Sequence, residues 1–159
     1  MNRNEPARPA NTMSDLRSIV YVSTAVAPFA DEELEDLLVD ARDFNHSHLV
    51  TGVLLYNDGS FMQCLEGPES AVAQAYARIR ASTRHKDIYE LMNGPIHERS
   101  FQSWDMGIAR PTKSELLRLS TARWKESAGG ARVSLPPASG LELLRFLWQD
   151  WRATGPTPS

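Results

Sequence analysis

The stretch Thr51–Gly67 reads TGVLLYNDGSFMQCLEG, two apolar runs separated by Asn57-Asp58-Gly59. An Asp-Gly pair between apolar runs is a strong hairpin signal, because the tight turn that matches strand twist needs φ > 0 at its central residues. The pattern predicts strands over about 51–56 and 60–66. Gly67-Pro68 ends the second, and proline, with its fixed φ and no N–H, suits the first turn of a helix. That helix is expected to reach about Ala81, with Val72, Ala75, Tyr76 and Ile79 as its buried face.

Upstream, Leu16–Thr24 reads as a strand in which Ile19, Tyr21 and Ser23 face one way and Val20 and Val22 the other. Pro28 and Phe29 break it. A helix is expected from Asp31 to Asn45, with Leu34, Leu37, Leu38, Ala41 and Phe44 in one stripe. Glu32, Glu33, Glu35 and Asp36 favour its positive N-terminal end. Downstream, the basic corner Arg84-His85-Lys86 leads into a strand over Ile88–Met92. Phe101, Trp104, Met106 and Ile108 suggest a last short strand, the final three sharing a face. The order β-α-β-β-α-β-β predicts an α+β fold. It is a ferredoxin-like sandwich, with a mixed five-stranded sheet and two helices on one face.

Two more helices are expected over 112–125 and 139–152. Thr112–Glu115 and Ser139–Glu142 have the capping-box spacing. Leu144, Leu147, Trp148 and Trp151 form a stripe too apolar for water, and the sheet's second face, with Val20, Val22, Met62 and Cys64, is the nearest cover. The division is then a flexible lead-in over 1–15, a folded core over 16–110, a two-helix segment over 111–152 and a frayed tail over 153–159. Residues 127–137 read as a Gly/Pro-rich break. In 159 residues, 17 Lys and Arg against 20 Asp and Glu give a net charge of -3, which argues against a general nucleic-acid backbone binder. No apolar run is long enough to span a bilayer, and residues 1–15 lack the apolar core of a signal peptide, so a cytoplasmic protein is expected.

No catalytic motif is present: no GxSxG, HExxH, GxGxxG or P-loop. His46 and His48 lack a third nearby ligand, so surface histidines are favoured over a metal pair. Cys64, the single cysteine, has no base partner and reads as buried structure. More informative is the face beneath the helices. Gln63 lies between Phe61 and Leu65, facing the core with Tyr21, and Asn45 ends the first helix nearby. Buried amides need partners. Two accounts stay open from the pattern: a satisfied structural network (or a parity that turns Gln63 to solvent), and an aromatic, polar ligand between the helices with Arg84 and His85 at its phosphate or hydroxyl end.

These pieces together resemble the BLUF family, flavin-binding blue-light sensor domains, over roughly Leu16–Ile108. The matching strings are IVYVS with Tyr21, the AR-F-N run ending at Asn45, TGVLLYNDGSFMQCLEG with Gln63, STRH with Arg84 and His85, and RSFQSWDMG with Trp104 and Met106. The resemblance implies that Tyr21 donates an electron and a proton to the excited flavin. Gln63 links that tyrosine to the flavin, and Asn45 bonds the carbonyl edge of the isoalloxazine. Arg84 and His85 lie near the ribityl and phosphate end, and Phe44 and Phe61 lie beside the ring. Trp104 and Met106 exchange proximity to Gln63 between states. FAD is the implied cofactor, with FMN or riboflavin able to substitute, and no metal or catalytic residue is implied. Phe44 stands where the family often has Asn or His, and Ser82 where Asp is common. No output enzyme fits in the remaining fifty or so residues, so a separate downstream signalling protein is the expected partner, with a second copy of the chain (a homo-oligomer) as the alternative and no membrane or direct nucleic-acid contact. A light-independent flavoprotein enzyme and a ferredoxin-like interaction module are the competing readings.

Overall fold

The computed structural model of the protein describes residues 15–124 and 139–154. The elements are β1 (Leu16–Ala25), α1 (Asp31–His48), β2 (Thr51–Asn57), β3 (Ser60–Pro68), α2 (Glu69–Ala81), β4 (His85–Pro95), β5 (Gly107–Ala109), α3 (Lys113–Ser120) and α4 (Gly140–Thr154). The sheet order is β4-β1-β3-β2-β5. Its first four strands are antiparallel and β5 lies parallel to β2, which makes the sheet mixed as expected. The β2–β3 turn is the two-residue Asp58-Gly59, both at positive φ (43° and 88°). Short polar and glycine residues tolerate that conformation.

Two cores follow from strand alternation. On one face Ile19, Tyr21, Leu54, Phe61 and Leu65 pack against Leu34 and Leu38 of α1 and Val72 and Ala75 of α2. On the other, Val20, Val53, Leu55, Met62 and Cys64 pack against Leu116, Leu119, Leu144, Leu147 and Trp148 of the C-terminal helices. Residues 51–56 and 61–67 are therefore buried throughout, which is why they read as continuous apolar runs. Each large side chain buried there contributes about 1.5–3 kcal/mol.

Several boundaries differ from the sequence reading. Helix α1 continues past Asn45 to His48, where Leu49 takes a left-handed cap (φ 62°) with its N–H on Asn45 and His46 carbonyls. His46 and His48 thus lie in the last turn, and Asn45 is buried within it. Pro68 is the N-cap residue of α2 rather than part of its first turn. Strand β4 is longer than 88–92 at both ends. Helix α3 stops at Ser120, short of 125. Beyond it, Trp124 folds back to donate its indole N–H to the Leu119 carbonyl (2.8 Å), and Gly140 N–H bonds the Arg123 carbonyl (2.8 Å). Both capping boxes form, at Thr112–Glu115 and Ser139–Glu142. Helix α4 runs through Thr154, two residues into the segment expected to fray; 155–159, the lead-in 1–14 and the Gly/Pro-rich 127–137 lie outside the described residues. The shared face of Trp104, Met106 and Ile108 is not formed. Only 107–109 is strand, and the irregular backbone before it sends Met106 and Ile108 to the first core and Trp104 to the second.

That irregular segment is tied down by a buried carboxylate. Glu66, fully buried on β3, accepts the backbone N–H groups of Ser100 (2.9 Å) and Phe101 (2.9 Å). Arg99 bonds Thr51 Oγ1 (3.0 Å) and the Glu66 carbonyl (3.4 Å). Burial pushes the Glu66 carboxyl above the ordinary carboxylate range; its two backbone donors and the charges of Arg99 and Arg145 oppose the shift. The folded state therefore holds this proton more tightly than the unfolded chain. Its contribution is full below the unfolded value and falls as pH rises through the raised one. Chemical denaturation of wild type and Glu66→Gln over about pH 4–8 is expected to show the wild type losing stability relative to the variant as pH rises. A constant difference would mean the carboxyl does not titrate in the fold. Glu66→Ala should destabilise by about 1–3 kcal/mol for each backbone donor left unpaired.

Candidate functional site

A cavity of about 270 Å³ lies between α1 and α2, with β1, β2 and β3 contributing its other walls. Helix α1 gives Leu37, Asp40, Ala41, Phe44 and Asn45; α2 gives Ala75, Arg78 and Ile79; the strands give Tyr21, Leu54, Phe61 and Gln63. Phe29, Ser82, Arg84 and His85 complete it from the loops and the start of β4. The polar groups sort by depth. Tyr21, Asn45 and Gln63 are 3%, 3% and 6% exposed, whereas Arg78 and Arg84 are exposed.

Register explains the inner group. Tyr21 on β1 pairs directly with Gln63 on β3, so both project to the same face. The Tyr21 hydroxyl donates a hydrogen bond to Gln63 Oε1. Gln63 Nε2 donates to Met106 Sδ (3.4 Å). Burial, with a smaller contribution from Tyr76, pushes the Tyr21 phenol well above its ordinary value, so it keeps its proton at any physiological pH. Asn45 Nδ2 donates to the Asp105 carbonyl (2.8 Å) and Arg42 Nε to the Met106 carbonyl (2.9 Å). These two α1 side chains hold the segment before β5 against the cavity wall. An amide nitrogen has two hydrogens, so Asn45 retains donor capacity.

The outer group is built on aromatic rings. The Arg84 guanidinium lies over Phe29 (4.8 Å). Arg78 lies over Phe44 (4.3 Å), whose ring also stacks on His48 (3.9 Å). Ser82 accepts the Arg84 backbone N–H (3.1 Å), a local turn of the kind an Asp forms there. His85 is engaged on both ring nitrogens, Nδ1 with Ser23 Oγ (2.8 Å) and Nε2 with the Ile79 carbonyl (2.8 Å). It lines the cavity as a fixed wall. Trp104 does not line it; its ring packs against Trp148 (5.4 Å) on the opposite side of the sheet.

Sequence reasoning did not single out Arg78, Phe29 or Arg42. Arg78 had a signal, lying three residues after Ala75 on the buried face of α2. Phe29 sits in a loop with no periodicity to place it, and the partner of Arg42 is a backbone carbonyl 64 residues away.

The profile described as "Sensors of blue-light using FAD" (BLUF) matches residues 16–107. The chain belongs to the BLUF family. A BLUF domain is a flavin-binding blue-light sensor and not a catalytic module. Among similar proteins, the photoactivated adenylate cyclase subunit alpha of Euglena gracilis is 40% identical over 88 residues, 55% of this chain and 9% of that protein. Subunit beta of Euglena longa is 35% identical over 96 residues, 60% of this chain and 11% of that one. The chain thus spans about a tenth of the length of these curated relatives. The BLUF protein BlrB in its dark state superposes with TM-score 0.54 at 31% identity, over 66% of this chain and 80% of that one. BlsA in its ground state does so with TM-score 0.60 at 25% identity, over 91% of each. No helix among the described residues is long and apolar enough to cross a membrane.

The cavity fits the family's ligand. Phe29, Phe44, Phe61, Leu37, Leu54 and Ile79 suit a flat aromatic ring. Buried amides can meet a heteroatom edge, and exposed guanidinium groups suit a phosphate. If Arg78 and Arg84 meet the phosphate, Arg78→Ala and Arg84→Ala should each weaken FMN and FAD by up to about fivefold and riboflavin little, since exposed charge pairs are worth only about 0.2–1 kcal/mol. His85→Ala, which removes a wall, should weaken all three alike. Titration of apoprotein with each flavin measures this, and equal losses for the arginine variants would remove them from the phosphate.

Proposed function

We propose that this protein is a blue-light switch whose chemistry runs through the Tyr21–Gln63–Met106 hydrogen-bond chain, which begins with Tyr21 and Gln63 on the cavity wall, with FAD as its cofactor and FMN or riboflavin able to substitute. The observation that carries the reading is that chain: a buried, protonated phenol donating to an amide whose other end rests on a soft, replaceable acceptor. When bound, the flavin supplies an excited state that accepts one electron. Tyr21 gives that electron and, once oxidised, its phenolic proton becomes strongly acidic and passes to Gln63 Oε1. Both return to Tyr21, so nothing is consumed. Gln63 is left with its amide turned, Nε2 toward Tyr21 and Oε1 toward Met106, because an amide holds a donor and an acceptor of similar shape.

Residues 16–110 then act as the sensor and 111–152 as the output segment, read by a separate signalling protein in the cytoplasm. The relatives named as photoactivated adenylate cyclases support a light-to-enzyme relay. Trp104 and Met106 occupy opposite faces of the sheet, which suits them to respond together when the contact between Gln63 and Met106 changes.

The purified protein is expected to be yellow and to show a small, fully reversible red shift of its main flavin band under blue light. Gln63→Leu, which roughly preserves volume and removes both donor and acceptor, should retain flavin and lose the shift. Absorption spectra in darkness, under illumination and after recovery test both. A normal shift in Gln63→Leu would remove Gln63 from the switch, and lasting bleaching of the wild-type band would indicate a different photochemistry.

A further inference from the structure

Trp148 of α4 is 4% exposed, and its indole Nε1 is the one buried side-chain polar atom among the described residues without a hydrogen-bond partner. Buried donors are almost always paired, and leaving one unmet is costly. Its setting is equally particular. The ring meets Trp104 (5.4 Å), Phe101 (6.1 Å) and Trp151 (6.4 Å), all edge to face. It also lies close against Gly107, where a Cβ would come within 2.6 Å of the indole's six-membered ring. Gly107 directly follows Met106, whose sulfur takes the Gln63 amide. From the cavity wall to α4 is thus one side-chain hydrogen bond, one peptide and one ring contact.

The carbonyls of residues 104–106 on this short route are engaged. Trp104 O accepts from Gly52 N–H (2.9 Å), Asp105 O from Asn45 (2.8 Å) and Met106 O from Arg42 (2.9 Å). Two of these three donors belong to α1, on the cavity side. With Gln63 turned, its carbonyl oxygen would face the Met106 sulfur, where an acceptor meets an acceptor and the hydrogen bond is lost. Met106 must then move, and the peptide at 106–107 with it.

We propose that Trp148 is the residue through which α4 reads the switch: its unpartnered indole N–H takes a backbone carbonyl of residues 104–107 released when Met106 moves. The inference rests on the Gln63 rearrangement proposed above. Gly107 is the contact that transmits it, because any side chain there would hold the indole away from the backbone. The donor left unmet in one state and paired in the other gives α4 two arrangements that the cavity can bias.

The test uses the full chain with flavin bound and ¹⁵N-labelled tryptophan, its four indole resonances assigned through single Trp→Phe variants. On illumination the Trp148 indole proton should move downfield, as on gaining an acceptor, and return in step with recovery of the flavin band. Hydrogen exchange of residues 140–154 should change with light in the wild type. In Trp148→Phe that change should be lost while the red shift is kept. A red shift with an unmoved Trp148 resonance overturns this proposal alone and leaves α4 a static cover. The absence of any red shift overturns the photochemical reading together with it. Should Trp148→Phe fail to fold, the wild-type resonance still decides.

Discussion

The direct pairing of Tyr21 with Gln63 across β1 and β3 is the constraint on which the site depends. Side chains alternate along a strand, so a slip of one residue would send one of the two into the opposite core and end the contact. Three features oppose such a slip. The Asp58-Gly59 turn fixes β2 against β3. Burial on both faces makes any exchange of Ile19 and Leu65 for Val20 and Cys64 a repacking of two cores at once. Glu66, three residues beyond Gln63, is bonded to the backbone of the 99–101 loop. The position of Gln63 opposite Tyr21 is therefore fixed by the sheet, with its amide bonded at both ends, to Tyr21 and to Met106.

That the sheet separates two cores gives the segment 99–107 its importance. It passes along the end of the sheet with Phe101 and Trp104 in the second core and Met106 in the first. Little regular secondary structure holds it: a three-residue strand at its end, and side-chain bonds from Glu66, Asn45 and Arg42. A segment held by a few specific bonds is where a small local change can alter an arrangement without unfolding an element. The flavin-side helix α1 and the tail helix α4 both touch this stretch, from opposite sides.

Much of this was legible in the sequence, and the reasons are physical. Periodicity placed Tyr21, Gln63, Val20 and Cys64 on the correct faces because period-two alternation is enforced by burial on both sides. Capping boxes located the starts of α3 and α4 because they are local chemistry spanning three residues. Where structure depended on distant partners, pattern reading stopped. Trp104 and Met106 look like same-face residues at a spacing of two, but the backbone between them is not extended. It is bent by Gly52, Asn45 and Arg42, all about fifty or more residues upstream. The end of α1 moved three residues because Leu49 adopts a left-handed cap, a conformation uncommon for leucine and hard to expect from its type.

The two departures from the family pattern show how local physics replaces a lost contact. Ser82, in place of an acid, still accepts the Arg84 backbone N–H, since a hydroxyl can form the same turn as a carboxylate. Phe44, in place of a polar residue, offers no hydrogen bond to a ligand but stacks between His48 and the Arg78 guanidinium. A cation held over an aromatic face gains about 0.5–1 kcal/mol at an exposed site, and the stack holds Arg78 at the edge of the cavity. The position thus exchanges one directed bond to the ring system for a wall that orients a charge. The Tyr21–Gln63 pair is nearly fully buried and bonded to itself across β1 and β3, so its geometry is set by the sheet rather than by the stack at Phe44.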